Sequence, residues 1–140
     1  MAILVTGVAG FIGSQLARQL LARGDHVVGI DNLNDYYSPD LKRDRLSDIA
    51  HPNLSFHQVD FADHVALDAA LHGVEIDRIV HLGAQPGVRY SILNPRAYVQ
   101  SNLAGHLNML EVARQRGVQQ MLYASSSSVY GANKTLPFRV

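Results

Sequence analysis

The feature that most constrains this chain is a turn with evenly spaced glycines near its amino terminus. Gly7, Gly10 and Gly13 form a G-x-x-G-x-x-G pattern between an apolar, strand-like run ending at Thr6 and a helix-like stretch beginning at Phe11. In such a setting the first glycine permits a tight turn, the second lets backbone approach a pyrophosphate, and the third lets the helix pack closely. The helix N-terminus then offers free N–H groups to an anion. The pattern therefore predicts a turn that binds a dinucleotide.

A carboxylate supports this interpretation. A second strand-like run ends at Asp31, about the right distance beyond the glycine turn for an acid that binds the ribose hydroxyls of adenosine. An ionised Asp31 repels a 2′-phosphate, and residues 32–34 (NLN) supply no Arg to hold one, so the sequence favours NAD over NADP. The competing hypothesis is that the glycines serve only packing and that Asp31 only caps a loop.

The remainder of the chain alternates short aliphatic runs with longer amphipathic stretches, as βαβ units do. The predicted strands are 3–6, 26–31, 54–60, 76–82 and 121–125, and the predicted helices are 11–23, 40–49, 63–72 and 95–116. Asn94 is the expected N-cap of the last helix, with Pro95 at its first position and Gly117 at its end. The sequence thus predicts an α/β fold, a Rossmann-type doubly wound parallel sheet truncated after about five strands.

The composition of the chain excludes several classes of binding partner. The 140 residues carry twelve Lys plus Arg against twelve Asp plus Glu, so the net charge is zero, and there is no cysteine. A neutral chain lacks the basic face of a nucleic-acid or anionic-membrane binder, and the absence of cysteine suits a reducing compartment. With no membrane-length apolar run and no signal-like amino terminus, we expect a soluble, cytoplasmic protein. Residues 136–140 form no closing element, so we expect residues 1–140 to be a partial NAD-binding domain without a carboxy-terminal substrate domain.

Longer segments resemble the extended short-chain dehydrogenase/reductase superfamily, in particular the UDP-glucuronate 4-epimerases. They are 31–37 (DNLNDYY) with Leu41-Lys42 and Arg45-Leu46 beyond, 81–91 (HLGAQPGVRYS) and 124–131 (ASSSSVYG). The chain departs from these epimerases at Gly83 and Pro86, where they usually carry Ala. The resemblance covers the whole chain and corresponds to the amino-terminal part of such an enzyme, which would oxidise C4 of a UDP-sugar by hydride transfer to NAD.

The resemblance also implies a set of cofactor contacts. Phosphates would lie on the glycine turn, the adenosine ribose on Asp31 and its neighbour, the adenine beside the residues after the third strand, and the second ribose after the fourth strand. The residues are Gly7, Gly10, Phe11, Ile12, Gly13, Asp31, Asn32, Asp60, Phe61, Leu82, Ala84, Gln85, Asn102, Ala124 and Ser125. Structural alternatives are that Asp60 starts a helix and that Phe61 belongs to the core.

The serine run holds the candidate catalytic hydroxyl. By resemblance this is Ser126, with Ser127 as the runner-up, and its role would be a hydrogen bond to the sugar hydroxyl being oxidised. A solvated turn is the plain alternative. Related dehydratases carry an acidic pair where this chain has Ser127 and Ser128, which favours epimerisation. Tyr130 and Lys134 have the Y-x-x-x-K spacing of the family's base, but Gly131 and the residues after it make a poor helix, so we do not assign them that role.

The other candidates are weaker. Arg89 is expected on the loop after the fourth strand, where it could bind a sugar carboxylate or phosphate, or form a surface salt bridge. The seven histidines show no H-E-x-x-H spacing, so no metal site is expected, and no serine lies in a G-x-S-x-G hydrolase elbow. Alternative functions are another NAD-dependent UDP-sugar epimerase or decarboxylase, or a non-catalytic NAD-sensing module. By resemblance, helix 95–116 is a candidate homodimer surface.

Overall fold

The computed structural model describes residues 2–139 and contains a parallel sheet with helices on both faces. The strands are β1 (Ala2–Thr6), β2 (Val27–Asp31), β3 (Leu54–Gln58), β4 (Ile76–His81) and β5 (Gln120–Tyr123). The helices are α1 (Phe11–Ala22), α2 (Pro39–Asp48), α3 (His64–Ala70), α4 (Val88–Leu93), α5 (Pro95–Tyr98) and α6 (His106–Gln115). A π-helical segment (Val99–Gly105) joins α5 to α6, and a 3₁₀ turn (Ser127–Tyr130) follows β5.

The order of the strands places the ligand-binding edge. The five strands lie side by side as β3-β2-β1-β4-β5, and every pairing is parallel. The chain runs outward from β1 in one direction to β3, then crosses back to β4 on the other side of β1. In a doubly wound sheet, ligands bind outside the carboxyl ends of the strands where the direction of winding reverses. That point lies just after Thr6 of β1 and His81 of β4. The predicted fold class is confirmed.

Two apolar cores hold the helices to the sheet. On one face, α1 contributes Ala17, Leu20 and Leu21, which pack with alternate residues of β1 and with Ile49 after α2. On the opposite face, Leu67 of α3 and the α6 residues Met109 and Val112 pack against the other side chains of the same strands. Adjacent residues of β1, such as Leu4 and Val5, therefore belong to different cores, as expected of a strand covered on both faces. None of the helices within residues 2–139 combines the length and apolar character needed to cross a membrane.

Several predicted boundaries were wrong. The third strand ends at Gln58 instead of residue 60, the fifth ends at Tyr123 instead of residue 125, and the 63–72 helix covers only His64–Ala70. Asp63 N-caps this helix, because its carboxylate accepts from the N–H groups of Val65 and Ala66. Asn94 is the N-cap residue of α5, as predicted, but its side chain makes no capping hydrogen bond; its amide donates to the Tyr90 hydroxyl.

The predicted 95–116 helix is not one regular α-helix. Its middle, Val99–Gly105, is π-helical, with α-helical turns before and after it. One-turn π segments inside helices are rare and occur mostly at functional sites. The segment contacts the loop after β4, because the side chain of Asn102 bonds the backbone of Gln85.

Candidate functional site

A cavity of about 500 Å³ opens at the carboxyl ends of β1, β2 and β4, where the winding of the sheet reverses. Its walls come from the glycine turn and the start of α1, from the segment between β2 and α2, and from the loop after β4. The lining residues are Gly7, Gly10, Phe11, Ile12, Gly13, Asp31, Asn32, Asn34, Tyr36, Tyr37, Leu41, Lys42, Arg45, Phe61, Leu82, Gly83, Ala84, Gln85, Pro86, Ser101 and Ala124. Most of the predicted cofactor contacts therefore lie around one cavity.

The glycine turn forms one wall of the cavity and leaves no room for side chains. Gly7 has a φ of +69°, in the left-handed region, and a Cβ built there would lie 2.9 Å from the backbone nitrogen of Gly83. A Cβ at Gly13 would lie 2.0 Å from the carbonyl oxygen of Gly7. The first glycine thus makes the turn, and the third lets α1 begin directly against it. The roles predicted for these two positions agree with the geometry.

The N-terminus of α1 points at the cavity. Gly10 is its N-cap residue without a side chain to bond the helix N–H groups, and the first turn contains no acidic residue. The first N–H groups of a helix have no acceptor within the helix, and their partial positive charge favours an anion. Phe11 and Ile12 are 73% and 66% exposed although both are large and apolar, which is consistent with surface kept free for a ligand. This wall is suited to a pyrophosphate.

Asp31 lies at the end of β2 with its carboxylate almost enclosed. It is 7% exposed, and its oxygens accept hydrogen bonds from the backbone N–H groups of Ala9 and Leu33. Its neighbour Asn32 lines the cavity and donates to the carboxylate of Asp60 at 3.2 Å. Asp60 itself does not line the cavity, and its other carboxylate oxygen accepts from the N–H of Ala62. Asp60 therefore holds Asn32 instead of forming part of the cavity wall.

Helix α2 supplies two cations that the sequence analysis did not assign to the site. Lys42 is 5% exposed, and its ammonium lies 3.6 Å from the Asp31 carboxylate and 2.9 Å from the side-chain oxygen of Asn34. Arg45 lines the same part of the cavity and donates to the hydroxyl of Tyr37. Both residues belong to a segment that carries the family resemblance. Because α2 is mostly polar, its sequence has no apolar face to indicate which side chains point to the cavity.

The loop after β4 is clamped by the π-helical segment. The side-chain amide of Asn102 accepts from the backbone N–H of Gln85 at 2.8 Å and donates to its carbonyl at 3.0 Å. Tyr98 donates to the carbonyl oxygens of Pro86 and Gly87 from the helical turn before it. Asn102 does not line the cavity, so its place in the structure is that of a positioning residue. It fixes the backbone from which Gln85 and its neighbours face the cavity.

Beneath that loop lies an enclosed histidine. His81 is 6% exposed, and its Nδ1 lies 2.7 Å from the hydroxyl of Thr6, which also accepts from the backbone N–H of Gly83. The rings of Phe61 and His106 pack on it at 5.1 and 5.2 Å. Burial, and secondarily the neighbouring His106, lowers the pKa of His81 from 6.5 to about 4. The side chain is therefore neutral at physiological pH.

The serine run lies farther from the cavity than predicted. Because β5 ends at Tyr123, Ala124 is the residue of this segment that lines the cavity, whereas Ser125 does not. The hydroxyl of Ser126 accepts from the N–H of Ser128 and so caps the 3₁₀ turn that begins at Ser127. Both candidate hydroxyls are exposed.

The Tyr130 and Lys134 pair does not have the geometry of the family's base. Tyr130 ends the 3₁₀ turn, and Gly131 follows with a φ of +59°, which breaks any helical continuation. Lys134 lies beyond that break and outside any helix. Within residues 2–139, no helix places these two side chains on one face.

The sequence predicts Arg89 on the loop after the fourth strand, and this prediction is wrong. Arg89 lies in the first turn of α4. The helix begins after Gly87, whose φ of +99° turns the chain sharply, and Tyr98 binds the carbonyl of that residue. Arg89 is exposed and does not line the cavity. Across residues 2–139, no three His, Asp or Glu side chains come together as a metal site would require.

Phe61 connects the core to the cavity and depends on two glycines. It is 8% exposed, packs in the core and also lines the cavity, so the core position is confirmed and the contact with adenine stays a prediction. A Cβ at Gly83 would lie 2.5 Å from one edge of its ring, and a Cβ at Gly105 would lie 2.4 Å from the other edge. The ring thus occupies space that two absent side chains leave between β4 and the π-helical segment. The position of the Phe61 ring therefore requires glycine at position 83, where the epimerases that this chain resembles usually carry Ala.

We therefore expect Gly83→Ala to lower the free energy of unfolding by about 2 kcal/mol, the usual cost of overpacking an enclosed site. Phe61→Leu on the same background should recover at least about half of that loss, because the smaller side chain vacates the ring position. Urea titration of the wild type, the two single variants and the double variant gives the coupling energy. Simple additivity of the two substitutions would contradict the packing described here.

The cavity as a whole fits a dinucleotide. A glycine turn that side chains would obstruct faces a helix N-terminus, an enclosed carboxylate lies one strand away, and a braced backbone loop lies on the other side. These groups suit, in order, a pyrophosphate, a ribose diol and a second nucleoside.

Comparison with known proteins agrees with this geometry. A family model described as GDP-mannose 4,6 dehydratase matches residues 4–139. Protein CapI of Staphylococcus aureus is 49% identical over 138 residues, which are 99% of this chain and 41% of that protein. UDP-glucuronate 4-epimerase 3 of Arabidopsis thaliana is 44% identical over 137 residues, covering 97% of this chain and 32% of that protein.

Solved structures show the same relation. The crystal structure of UDP-glucose-4-epimerase from Stenotrophomonas maltophila with bound NAD and formylated UDP-arabinopyranose is 32% identical, with a TM-score of 0.82. The match covers 99% of this chain and 40% of that one. The chain spans about 41% of the length of the curated protein CapI, and a similar share of the solved enzyme.

Proposed function

We propose, because this chain belongs to the GDP-mannose 4,6-dehydratase family, that it is the NAD-binding portion of a nucleotide-sugar 4-epimerase acting on UDP-glucuronate. The observation that carries the proposal is the cavity at the switch point of the sheet, where the α1 N-terminus and Asp31 lie on adjoining walls. The absence of cysteine suits a reducing compartment, and we place the protein in the cytoplasm.

The chain's own residues have separate tasks toward the cofactor. The turn from Gly7 to Gly13 and the N–H groups of α1 hold the pyrophosphate, while Asp31 and Asn32 accept and donate hydrogen bonds at the adenosine ribose. Leu82, Ala84 and Gln85 line the cavity and would lie along the second ribose, and Asn102 keeps that loop in place through the backbone of Gln85. Bound NAD would supply the hydride acceptor for oxidation at C4 of the sugar and the hydride donor for its reduction from the opposite face.

On the substrate side, Ser126 is the proposed hydrogen-bond partner of the hydroxyl being oxidised, with Ser127 as the alternative. The Ser126 hydroxyl is exposed and held by a single bond to the N–H of Ser128, so it can turn toward a substrate. Arg89, on the exposed side of α4, is the proposed partner of a sugar carboxylate. Ser127 and Ser128 stand where related dehydratases carry an acidic pair, which favours epimerisation over dehydration.

A UDP-glucose epimerase is the second candidate, because the solved structure reported above is of that type. The 44% identity to the Arabidopsis UDP-glucuronate epimerase favours UDP-glucuronate. An activity assay separates the two candidates. UDP-glucuronate and UDP-glucose are offered in turn to a polypeptide that contains these 140 residues and is as long as the related enzymes. Conversion of UDP-glucose alone would favour the second candidate.

We expect the 140-residue chain itself to bind NAD without completing the reaction, since its one Tyr-x-x-x-Lys sequence does not form a helical pair. Isothermal titration calorimetry with NAD should show one site per chain. Incubation with NAD and UDP-glucuronate should give no epimer above the protein-free control. Epimer formed by the chain alone would overturn the second half of this prediction, and the absence of NAD binding would overturn the first.

A homodimer through the Pro95–Gln115 segment is part of the proposal. This segment exposes Val99, Leu103, Leu107 and Leu110, which are 56%, 66%, 58% and 44% exposed and recur at helical spacing. An apolar stripe of this kind is typical of a covered helix face. Sedimentation velocity on the wild type and on Leu103→Glu gives the oligomeric state that the stripe supports.

A further inference from the structure

The two rims of the cavity are joined by a pair of tyrosine rings. Tyr36 belongs to the segment between β2 and α2, whereas Tyr90 lies in α4, beyond the loop that follows β4. Their ring centroids are 5.0 Å apart and the ring planes are tilted by 53°, a separation at which aromatic rings attract. In the sheet β1 lies between β2 and β4, so this contact joins segments that leave the sheet on opposite sides of the glycine turn. We refer to the pair as the tyrosine bridge.

The side of the bridge in α4 is held by hydrogen bonds. The Tyr90 hydroxyl accepts from the side-chain amide of Asn94 at 3.0 Å, and the Tyr98 ring lies 6.3 Å from that of Tyr90. Tyr98 in turn donates to the carbonyl of Gly87, the residue that precedes α4. A side chain at Gly87 would collide with the Tyr36 hydroxyl, so the ring of Tyr36 reaches this side only over a glycine. The α4 side is therefore a fixed support for Tyr36.

The side of the bridge near β2 is held less firmly. Tyr36 is 39% exposed, although its side chain also lines the cavity. Three residues before it, Leu33 has a φ of +52°, in the left-handed region that residues with a side chain rarely adopt. The N–H of Leu33 donates to the Asp31 carboxylate at 2.9 Å, and such strain persists only where neighbouring contacts hold it. If the rings separate, we expect the chain to move on this side, about Leu33.

We propose that the tyrosine bridge is a gate, which opens when a dinucleotide enters or leaves the cavity. The inference rests on the proposed function, because it needs the dinucleotide to extend from Asp31 to the loop after β4. Since the bridge joins those same two sides, a ligand in that position is enclosed beneath it and leaves only when the rings separate. A contact that is present with and without the ligand slows binding and release alike and leaves the affinity almost unchanged.

The first test removes the ring that does not face the ligand. Tyr90 does not line the cavity, so Tyr90→Ala removes the ring contact without removing a side chain from the cavity wall. Both the association and the dissociation rate constant of NADH should rise by about fivefold, while its dissociation constant changes by less than about twofold. Stopped-flow fluorescence of NADH, mixed with the chain and then displaced by excess NAD, measures both rate constants.

Three further variants isolate the ring contact. Tyr90→Phe keeps the ring and loses only the bond from Asn94, so its rate constants should stay within about twofold of the wild type. Adding Tyr36→Ala to Tyr90→Ala should raise the association rate constant no further, because both substitutions remove one contact. Tyr130→Ala is the matched control, since its ring stacks on Phe138 and does not line the cavity. It should leave both rate constants unchanged.

The second test holds the bridge closed and does not depend on how Tyr90→Ala folds. The chain contains no cysteine, so Tyr36→Cys combined with Tyr90→Cys offers two unique thiols to a short bifunctional thiol reagent. Protein cross-linked while empty should not bind added NADH, and protein cross-linked with NADH bound should retain it when excess NAD is added. The same double variant, treated with a monofunctional reagent, should bind and release NADH.

The outcomes separate the gate from the function on which it rests. Folded Tyr90→Ala with the rate constants of the wild type, or cross-linked protein that exchanges NADH freely, would overturn the gate alone. Faster dissociation without faster association in Tyr90→Ala would also overturn it, because the bridge would then belong to the binding surface. Wild type that binds neither NADH nor NAD would overturn the proposed function and the gate together.

Discussion

Gly13→Ala should abolish measurable NAD binding and lower the free energy of unfolding by about 3 kcal/mol. The added Cβ would lie 2.0 Å from the carbonyl oxygen and 2.8 Å from the carbonyl carbon of Gly7, and 3.1 Å from the Cα of Val8. All three atoms belong to the backbone, so no side-chain rotation relieves the collision. The glycine turn and the start of α1 must separate, and the anion-binding N–H groups move with them. Urea unfolding and calorimetric titration with NAD measure the two effects.

Two further glycine variants isolate the cause. Gly24→Ala, at the other end of α1, meets no atom within 4 Å but requires a φ of +90°. It should cost about 1 kcal/mol of stability through backbone strain and leave NAD affinity unchanged. At Gly10 an added Cβ would lie 3.0 Å from the carbonyl oxygen and 3.9 Å from the carbonyl carbon of Gly7, so Gly10→Ala should fold while binding NAD more weakly. A Gly13→Ala protein that folds and binds NAD as tightly as the wild type would contradict the packing of this turn.

The second large effect is a loss of stability in acid that originates at His81. Burial and the neighbouring His106 lower its pKa from 6.5 to about 4, so between these two pH values the unfolded chain binds a proton that the folded chain does not. The linkage relation then makes the free energy of unfolding fall as the pH falls from about 6.5 towards 4. A difference of this size is worth about 3 kcal/mol when fully developed. Above pH 6.5 the effect is absent, because His81 is neutral in both states.

His81→Asn should remove most of this pH dependence. Asparagine can still bond the Thr6 hydroxyl but does not titrate, so its stability curve between pH 7 and 4.5 should be flatter than that of the wild type by about 2 to 3 kcal/mol. His26→Asn is the matched control, because it removes a histidine that is exposed instead of buried. Parallel curves for the wild type and His81→Asn from chemical denaturation would contradict this assignment.

The fold could be predicted because its signals are local. The G-x-x-G-x-x-G turn lies between an apolar run and an amphipathic one, and each strand of this sheet is a short aliphatic run followed by a polar stretch. Those features gave all five strands, and most boundaries fell within two residues of the observed ones. The observed order of the strands, β3-β2-β1-β4-β5, is that of one half of a doubly wound sheet continued past its switch point.

The errors arose where contacts distant in sequence decide the structure. Helix α4 follows a glycine with positive φ and has no cap signal, so nothing local distinguishes it from a loop. The π-helical segment has an apolar pattern close to that of an α-helix, so the sequence does not distinguish the two. Its π-helical conformation accompanies the hydrogen bonds between Asn102 and Gln85. Lys42 and Arg45 belong to the site only because α2 packs back over the end of β2.

If the switch-point cavity is the NAD site, titration of the ¹⁵N-labelled chain with NAD should shift the amide signals of the residues around it. The largest chemical shift changes are expected at Gly10, Gly13, Asn32 and Gln85, and they should saturate with a single affinity. Unchanged amides at these positions, or shifts centred on the small cavity between α3 and α6 near His64 and Asn108, would contradict it.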